Sequence, residues 1–177
     1  LADIVRQGKA LYVGLSNYSK QEAEKAALLL KDMGVHCLIE QPRYNMFERT
    51  PEDGLFKAMW EHGVGCICYS PLAQGALTDK YLNGIPQGSR ASRVGTTIND
   101  RYLSEEKLDQ IRRLNEIAVS RNQSLAQMAL AWVLREKAVT SVLIGASSVR
   151  QLENSVQCLD HLEFSADELK AIDEILK

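Results

Sequence analysis

The stretch GVGCICYSPLAQG, residues 63–75, runs from an apolar segment into a polar turn within one step. Cys66, Ile67, Cys68 and Tyr69 suit a buried strand, and Ser70-Pro71 stops it. A glycine, an apolar run of strand length and a polar stop make up a unit, and that unit occurs three times. Gly8 precedes KALYVGLSN, Gly34 precedes VHCLIEQP and Gly63 precedes VGCICYSP. Each glycine is read as closing a helix in the left-handed conformation that a residue without a Cβ adopts freely. The intervening segments carry helix starts. LADIVRQG reads as an amphipathic helix ending at Gly8. Ser19-Lys20-Gln21-Glu22 is a capping box that opens a helix to about Met33. Thr50-Pro51-Glu52-Asp53 predicts another, with Thr50 as cap and Pro51 in its first turn; it carries Leu55, Met59 and Trp60 and ends near His62.

Beyond Gly75 the rhythm changes. Residues 76–103 contain Gly84, Pro86, Gly88 and Gly95 and read as one long loop, a length that in compact domains usually serves function or stays disordered. Residues 104–121 and 124–137 follow as helices capped by Ser104 and Ser124. A fourth strand is expected over TSVLIG (140–145), then a helix from Ser147 to about Cys158 and a last one capped by Ser165. Strands separated by helices pair in parallel. VHCLIE and SVLIG are apolar on both faces, which predicts a sheet covered on both sides. The candidates are a (β/α)8 TIM barrel and a doubly wound sheet. Ser16-Asn17, Glu40-Gln41, Tyr69-Ser70 and Gly145-Ala146-Ser147 all fall at carboxyl ends of strands; the opposite ends carry no such cluster. That asymmetry favours the barrel, whose reactive face lies at those ends. Four strands in 177 residues amount to about half of an eight-stranded barrel of about 250 residues, so residues 1–177 are read as one half-barrel domain.

A net charge of −2, with 25% charged residues of both signs, argues against nucleic acid or an anionic membrane surface as partner. No apolar run reaches the roughly 20 residues of a membrane span, and no signal-peptide pattern is seen. Four cysteines without CxxC spacing predict reduced, buried thiols in a cytoplasmic protein. His36, His62 and His161 are too scattered for a metal site. Glu52-Asp53 and Glu105-Glu106 fit helix starts, where acids favour the dipole. Met128, Trp132 and Val133 form a core stripe.

GKALYVGLSNYS (8–19), QPRYNM (41–46), YSPLAQGALTDKYLNGIP (69–86), SRAS (89–92) and SVLIGASSVRQL (141–152) together resemble the aldo-keto reductase superfamily. They are most similar to the branch holding the potassium-channel β subunits and the bacterial glyceraldehyde-3-phosphate reductase-like enzymes, and the resemblance runs from about Gly8 to Ile175. It implies a (β/α)8 barrel that binds NADP(H) without a Rossmann domain, with this chain covering about strands 5–8. The family's catalytic Asp, Tyr, Lys and His come from the first four strands, so no catalytic residue is assigned within the 177.

The same resemblance implies a cofactor-binding role for one set of residues. Tyr69 offers the nicotinamide an aromatic floor, and Ser16, Asn17 and Gln41 match positions that hydrogen-bond the carboxamide. Ser70, Pro71, Leu72, Ala73, Gln74 and Gly75 match the loop along the pyrophosphate. Lys80 and Arg90 match basic positions in the loop over residues 76–103 that clasps the cofactor, arginine suiting the 2′-phosphate. Gly145 and Ser147 open a helix whose free N–H groups suit an anion, and Gln151, Asn154 and Ser155 match positions near the adenosine. Asn154-Ser155 departs from the relatives' usual Glu-Asn; Gly88 stands where some have tyrosine and Ser148 where some have arginine, Arg150 lying two residues on. The implied activity is NADPH-dependent reduction of a small aldehyde or ketone. The alternative is a non-catalytic NADP-binding assembly subunit like the channel β subunits. Unpaired edges of a half-barrel lead us to expect association through the open edge, as a homo-oligomer or otherwise.

Overall fold

The computed structural model describes residues 1–177 throughout. Four strands, β1 (Val13–Ser16), β2 (Cys37–Gln41), β3 (Gly65–Cys68) and β4 (Val139–Val142), pair in parallel in the order β1-β2-β3-β4. A doubly wound sheet reverses its strand order part-way; this one does not, which is consistent with a segment of (β/α)8 wall. The helices are α1 (Ala2–Arg6), α2 (Lys20–Asp32), α3 (Leu55–Glu61), α4 (Ile98–Tyr102), α5 (Glu105–Ser120), α6 (Leu125–Leu134), α7 (Val149–Val156) and α8 (Ala166–Leu176). None is long and apolar enough to cross a membrane.

The local signals place most of these elements. The Ser19 hydroxyl accepts from Glu22 N–H and the Glu22 carboxylate accepts from Ser19 N–H at 3.0 Å, a closed capping box. Ser124 with Gln127 and Ser165 with Glu168 repeat it at α6 and α8. Gly8, Gly34 and Gly63 stand at φ +68°, +73° and +67°.

Four expectations need correction. Thr50 does not cap α3: residues 50–52 form a 3-10 turn, Gly54 at φ +102° breaks the chain direction, and α3 starts at Leu55. The reason lies in Glu52, which is drawn inward to ion pairs with Arg49 and Arg135 rather than facing a helix dipole. Trp60 is 65% exposed, although it shares α3 with the buried Leu55, Phe56, Ala58 and Met59. The cap of α7 is Ser148, whose hydroxyl accepts from Gln151 N–H, and β4 lies at 139–142 rather than 140–145. Finally, the sheet is not covered on both sides within this chain. β1 buries Val13 and Leu15 but exposes Gly14 and Ser16, and Leu38 beside β1 is 43% exposed. The helices bury the other face.

Trp132 is the centre of the core. It is fully buried, stacked on Tyr44 at 5.3 Å, with the Arg135 guanidinium 3.7 Å from its ring centroid. The segment over 76–103 is built of short turns and α4, and it packs Leu77, Tyr81, Ile98 and Tyr102 into the same core. All four cysteines are buried and unpaired. Burial pushes the Cys66 and Cys68 thiols up to about 12, and a thiol without thiolate character reacts slowly. The folded protein is therefore expected to resist a disulfide reagent such as DTNB at mildly alkaline pH, all four thiols reacting only in denaturant. Rapid modification of any of them in the native state contradicts this packing.

Candidate functional site

The carboxyl ends of β1, β2 and β3 bring their polar residues into one hydrogen-bonded row. Ser16 Oγ donates to the Gln41 carbonyl at 2.9 Å, and Asn17 Nδ2 donates to Ser16 Oγ at 3.2 Å. Tyr69 Oη donates to Asn17 Oδ1 at 3.0 Å and accepts from Arg43 Nε at 3.1 Å. Parallel pairing carries on past the strand ends as an isolated bridge between Arg43 and Tyr69, so the row sits on a rigid support. Gln41 uses its carbonyl here and keeps its side-chain amide free of partners. Asn17 holds φ +59°, a left-handed value uncommon outside glycine but tolerated by asparagine.

Behind the row stands Glu40, fully buried between sheet and helices. Its Oε1 accepts from Tyr18 N–H at 3.3 Å, bracing the turn that carries Asn17, while Oε2 has no partner. Burial raises its pKa, opposed by the backbone N–H groups of Tyr18 and Asn17.

After Tyr69 the backbone becomes unusual. Ser70, Ala73 and Gln74 lie at φ +55°, +47° and +60°, followed by Gly75 at +99°. Non-glycine residues seldom occupy this region, and clusters of them mark places where the backbone serves a ligand. The N–H groups of Ala73 and Gly75 close tight turns on Ser70 O and Leu72 O; those of Leu72 and Gln74 have no partner in the chain. Backbone N–H groups left unpartnered in left-handed turns are of the kind that can receive an anion. Thr78 Oγ1 anchors the loop from below on the Gly75 carbonyl at 2.7 Å, and Gln74 Nε2 ties it to Thr97 Oγ1 at 3.3 Å.

Lys80 and Arg90 sit in separate 3-10 turns of the same long segment, exposed. Neither side chain is among the chain's ion pairs or side-chain hydrogen bonds. Gly145 and Ser147 lead into α7, where Ser147 N–H and Oγ both donate to Gln151 Oε1 at 2.8 and 3.0 Å. Asn154 turns the other way: its amide bonds Ser124 and Gln127 at the start of α6, and Ser155 Oγ donates to the Gln151 carbonyl. The structure thus joins Ser16, Asn17, Gln41 and Tyr69 directly and sets residues 70–75 next to them. No hydrogen bond links Asn154 or Ser155 to that row. A concavity of about 300 Å³ lined by Met46, Phe47, Arg49 and Asp173 shares no residue with it.

The donor set suits a dinucleotide: a free amide and an aromatic ring side by side, then unpaired backbone N–H groups, then unpaired cations. Arg43, Asn45 and Glu48 escaped sequence reasoning, although they follow Gln41 directly within the QPRYNM stretch and its continuation. Asn45 is fully buried and donates to the Ser70 carbonyl at 3.0 Å. The signal was their place just past a strand end, where a barrel keeps its functional groups.

The family model described as "Aldo/keto reductase family" matches residues 1–177. The chain is 50% identical over 178 residues to L-glyceraldehyde 3-phosphate reductase of Escherichia coli (strain K12), which covers 98% of this chain and 51% of that protein. It is 35% identical over 179 residues to the "Putative voltage-gated potassium channel subunit beta" of Schizosaccharomyces pombe, covering 98% of this chain and 52% of that one. The chain spans about half the length of the curated relatives it matches.

Proposed function

The chain belongs to the aldo/keto reductase family, and we propose that it forms the NADP(H)-binding half, about strands 5–8, of a barrel that reduces a small aldehyde or ketone. The observation that carries this is the row Ser16–Asn17–Tyr69 abutting the left-handed loop 70–75 with its unpaired N–H groups. When bound, the reduced nicotinamide supplies the hydride. The work of this chain is to hold and orient. Tyr69 gives the ring an apolar floor; Asn17, Gln41 and Ser16 fix which face is presented. The backbone of Ser70–Gly75 takes pyrophosphate oxygens. Lys80 and Arg90 approach the 2′-phosphate, and the start of α7, with Gly145, Ser147 and Gln151, receives the adenosine end; Asn154 and Ser155 support that helix. We assign no catalytic residue among the 177; the proton donor is proposed to come from the part of the barrel that the relatives' greater length represents. Half the sequence shared with a sugar-phosphate aldehyde reductase supports a short, polar carbonyl substrate. Four buried, unpaired thiols support the cytoplasm as its compartment.

The test is titration of the full protein with NADPH and with NADH, followed by turnover on glyceraldehyde 3-phosphate. Saturable NADPH binding, tighter than NADH, with turnover is expected. Failure of both dinucleotides to bind overturns the cofactor assignment. Binding without turnover on any aldehyde points instead to a non-catalytic subunit, a reading favoured only by the 35% identity to the channel-subunit relative.

A further inference from the structure

Two distant stretches of chain converge on one carboxylate. Tyr102 Oη donates to Glu48 Oε2 at 2.6 Å, and Asn45 Nδ2 donates to the same oxygen at 3.1 Å. Arg101 donates to the other oxygen, Oε1, and the Arg43 guanidinium stands 3.7 Å from it. Each partner has a second attachment or a distinct origin. Arg101 and Tyr102 end the long segment that carries Lys80 and Arg90. Arg43 donates to Tyr69 Oη, and Asn45 donates to the Ser70 carbonyl. The end of the covering segment, the aromatic floor and the first residue of the left-handed loop therefore meet at a single anion. The Glu48 side chain is 18% exposed. Burial works against its charge, but hydrogen bonds from Tyr102, Asn45 and Arg101 outweigh that and hold its pKa below the usual carboxylate range. Phe47 stacked on Tyr102 at 6.1 Å shields the group from one side.

We propose that Glu48 is a positioning residue for the dinucleotide, fastening the covering segment through Arg101 and Tyr102 and the binding surface through Arg43 and Asn45, so that segment docking and site geometry are coupled. The proposal rests on the cofactor reading given above. Glu48 acts through the residues it holds. A shared carboxylate makes its partners' contributions interdependent: losing Arg101 weakens the hold on the segment, and losing the anion releases both sides at once.

Dissociation of NADPH from the full protein, followed by stopped-flow fluorescence, tests this. Arg101 is half exposed, so Arg101→Met leaves the fold intact, and thermal melting of each variant without cofactor checks that. Arg101→Met is expected to speed release by about five- to tenfold, and Glu48→Gln by at least as much. In the Glu48→Gln background, Arg101→Met is expected to add less than about twofold. Release rates of the single variants within about twofold of the unmutated protein, or effects that multiply in the double variant, overturn the proposal. If the unmutated protein binds NADPH and these results follow, the coupling alone falls. If the unmutated protein does not bind NADPH, the cofactor reading falls and takes the coupling with it.

Discussion

Trp132→Ala is expected to lower the stability of the protein by about 3–5 kcal/mol, the cost of removing a fully enclosed indole whose surroundings cannot collapse. For a chain of this size that lowers the melting temperature by about 10 °C or more. The indole is enclosed on several sides: Tyr44 stacks on it, Arg135 lies 3.7 Å from its centroid, and Arg49 lies at 5.2 Å. Glu52 helps hold both arginines: it accepts from Arg49 Nη2 at 2.7 Å, from Arg135 Nη2 at 3.3 Å and from Tyr44 Oη at 2.5 Å. Those bonds hold Glu52 charged in spite of partial burial. Removing Trp132 strips the aromatic surface from beneath two cations and leaves a void beside them. Trp60→Ala is the control. Its side chain is 65% exposed, and its loss is expected to change stability by no more than about 0.5 kcal/mol. Circular dichroism melts of both variants check the pair. Equal losses at the two tryptophans contradict the core described here.

On the cofactor reading proposed above, Tyr69→Ala in the full protein is expected to weaken NADPH binding by about ten- to a hundredfold. The ring supplies stacking area, and its hydroxyl joins Asn17 to Arg43, so the alanine variant removes the floor and breaks the row in two. Tyr69→Phe separates the contributions. It keeps the floor and leaves Asn17 Oδ1 without its donor, and a loss of about threefold or less is expected from a partly exposed hydrogen bond. A phenylalanine variant as weak as alanine assigns the effect to the row instead of the ring. Unchanged binding by the alanine variant removes Tyr69 from the site.

Contacts that span a few residues were readable from the sequence, and contacts that span many were not. Ser19, Ser124 and Ser165 reach backbone three residues away, and the glycine stops at Gly8, Gly34 and Gly63 need only their own φ. Thr50 carried an equally good helix-start pattern and failed. The competing claim on Glu52 comes from Arg135, 83 positions along the chain, and no local pattern announces it. The candidate site divides in the same way. Polar residues at strand ends mark the row itself, because strand ends are visible as the point where apolar residues give out. Glu48 looks like one more surface acid until Arg101 and Tyr102, more than 50 positions away, are brought to it. Glu40 shows the limit of reasoning by periodicity. It follows an apolar run as a polar terminus should, yet its carboxyl points into the packed layer and supports Asn17 from behind. The expectation of a doubly covered sheet failed for a related reason. Apolar residues at successive positions show what a strand can bury, not what is present to bury it, and Leu38 stays 43% exposed here.

The strand order β1-β2-β3-β4 also sets a timetable for assembly. Each strand takes as its neighbour the one made just before it, so a chain leaving the ribosome can add β2 to β1, and β3 to β2, over short crossovers. The fourth partner is different. About 70 residues separate the end of β3 from the start of β4, a loop whose closure is entropically dearer than the earlier ones and whose contacts are the least local in the sheet. Two of the residues in that interval, Arg101 and Tyr102, dock on Glu48, which has already emerged with β2. That contact divides the long interval into two shorter ones, and so lowers the loop-closure cost of bringing β4 to β3.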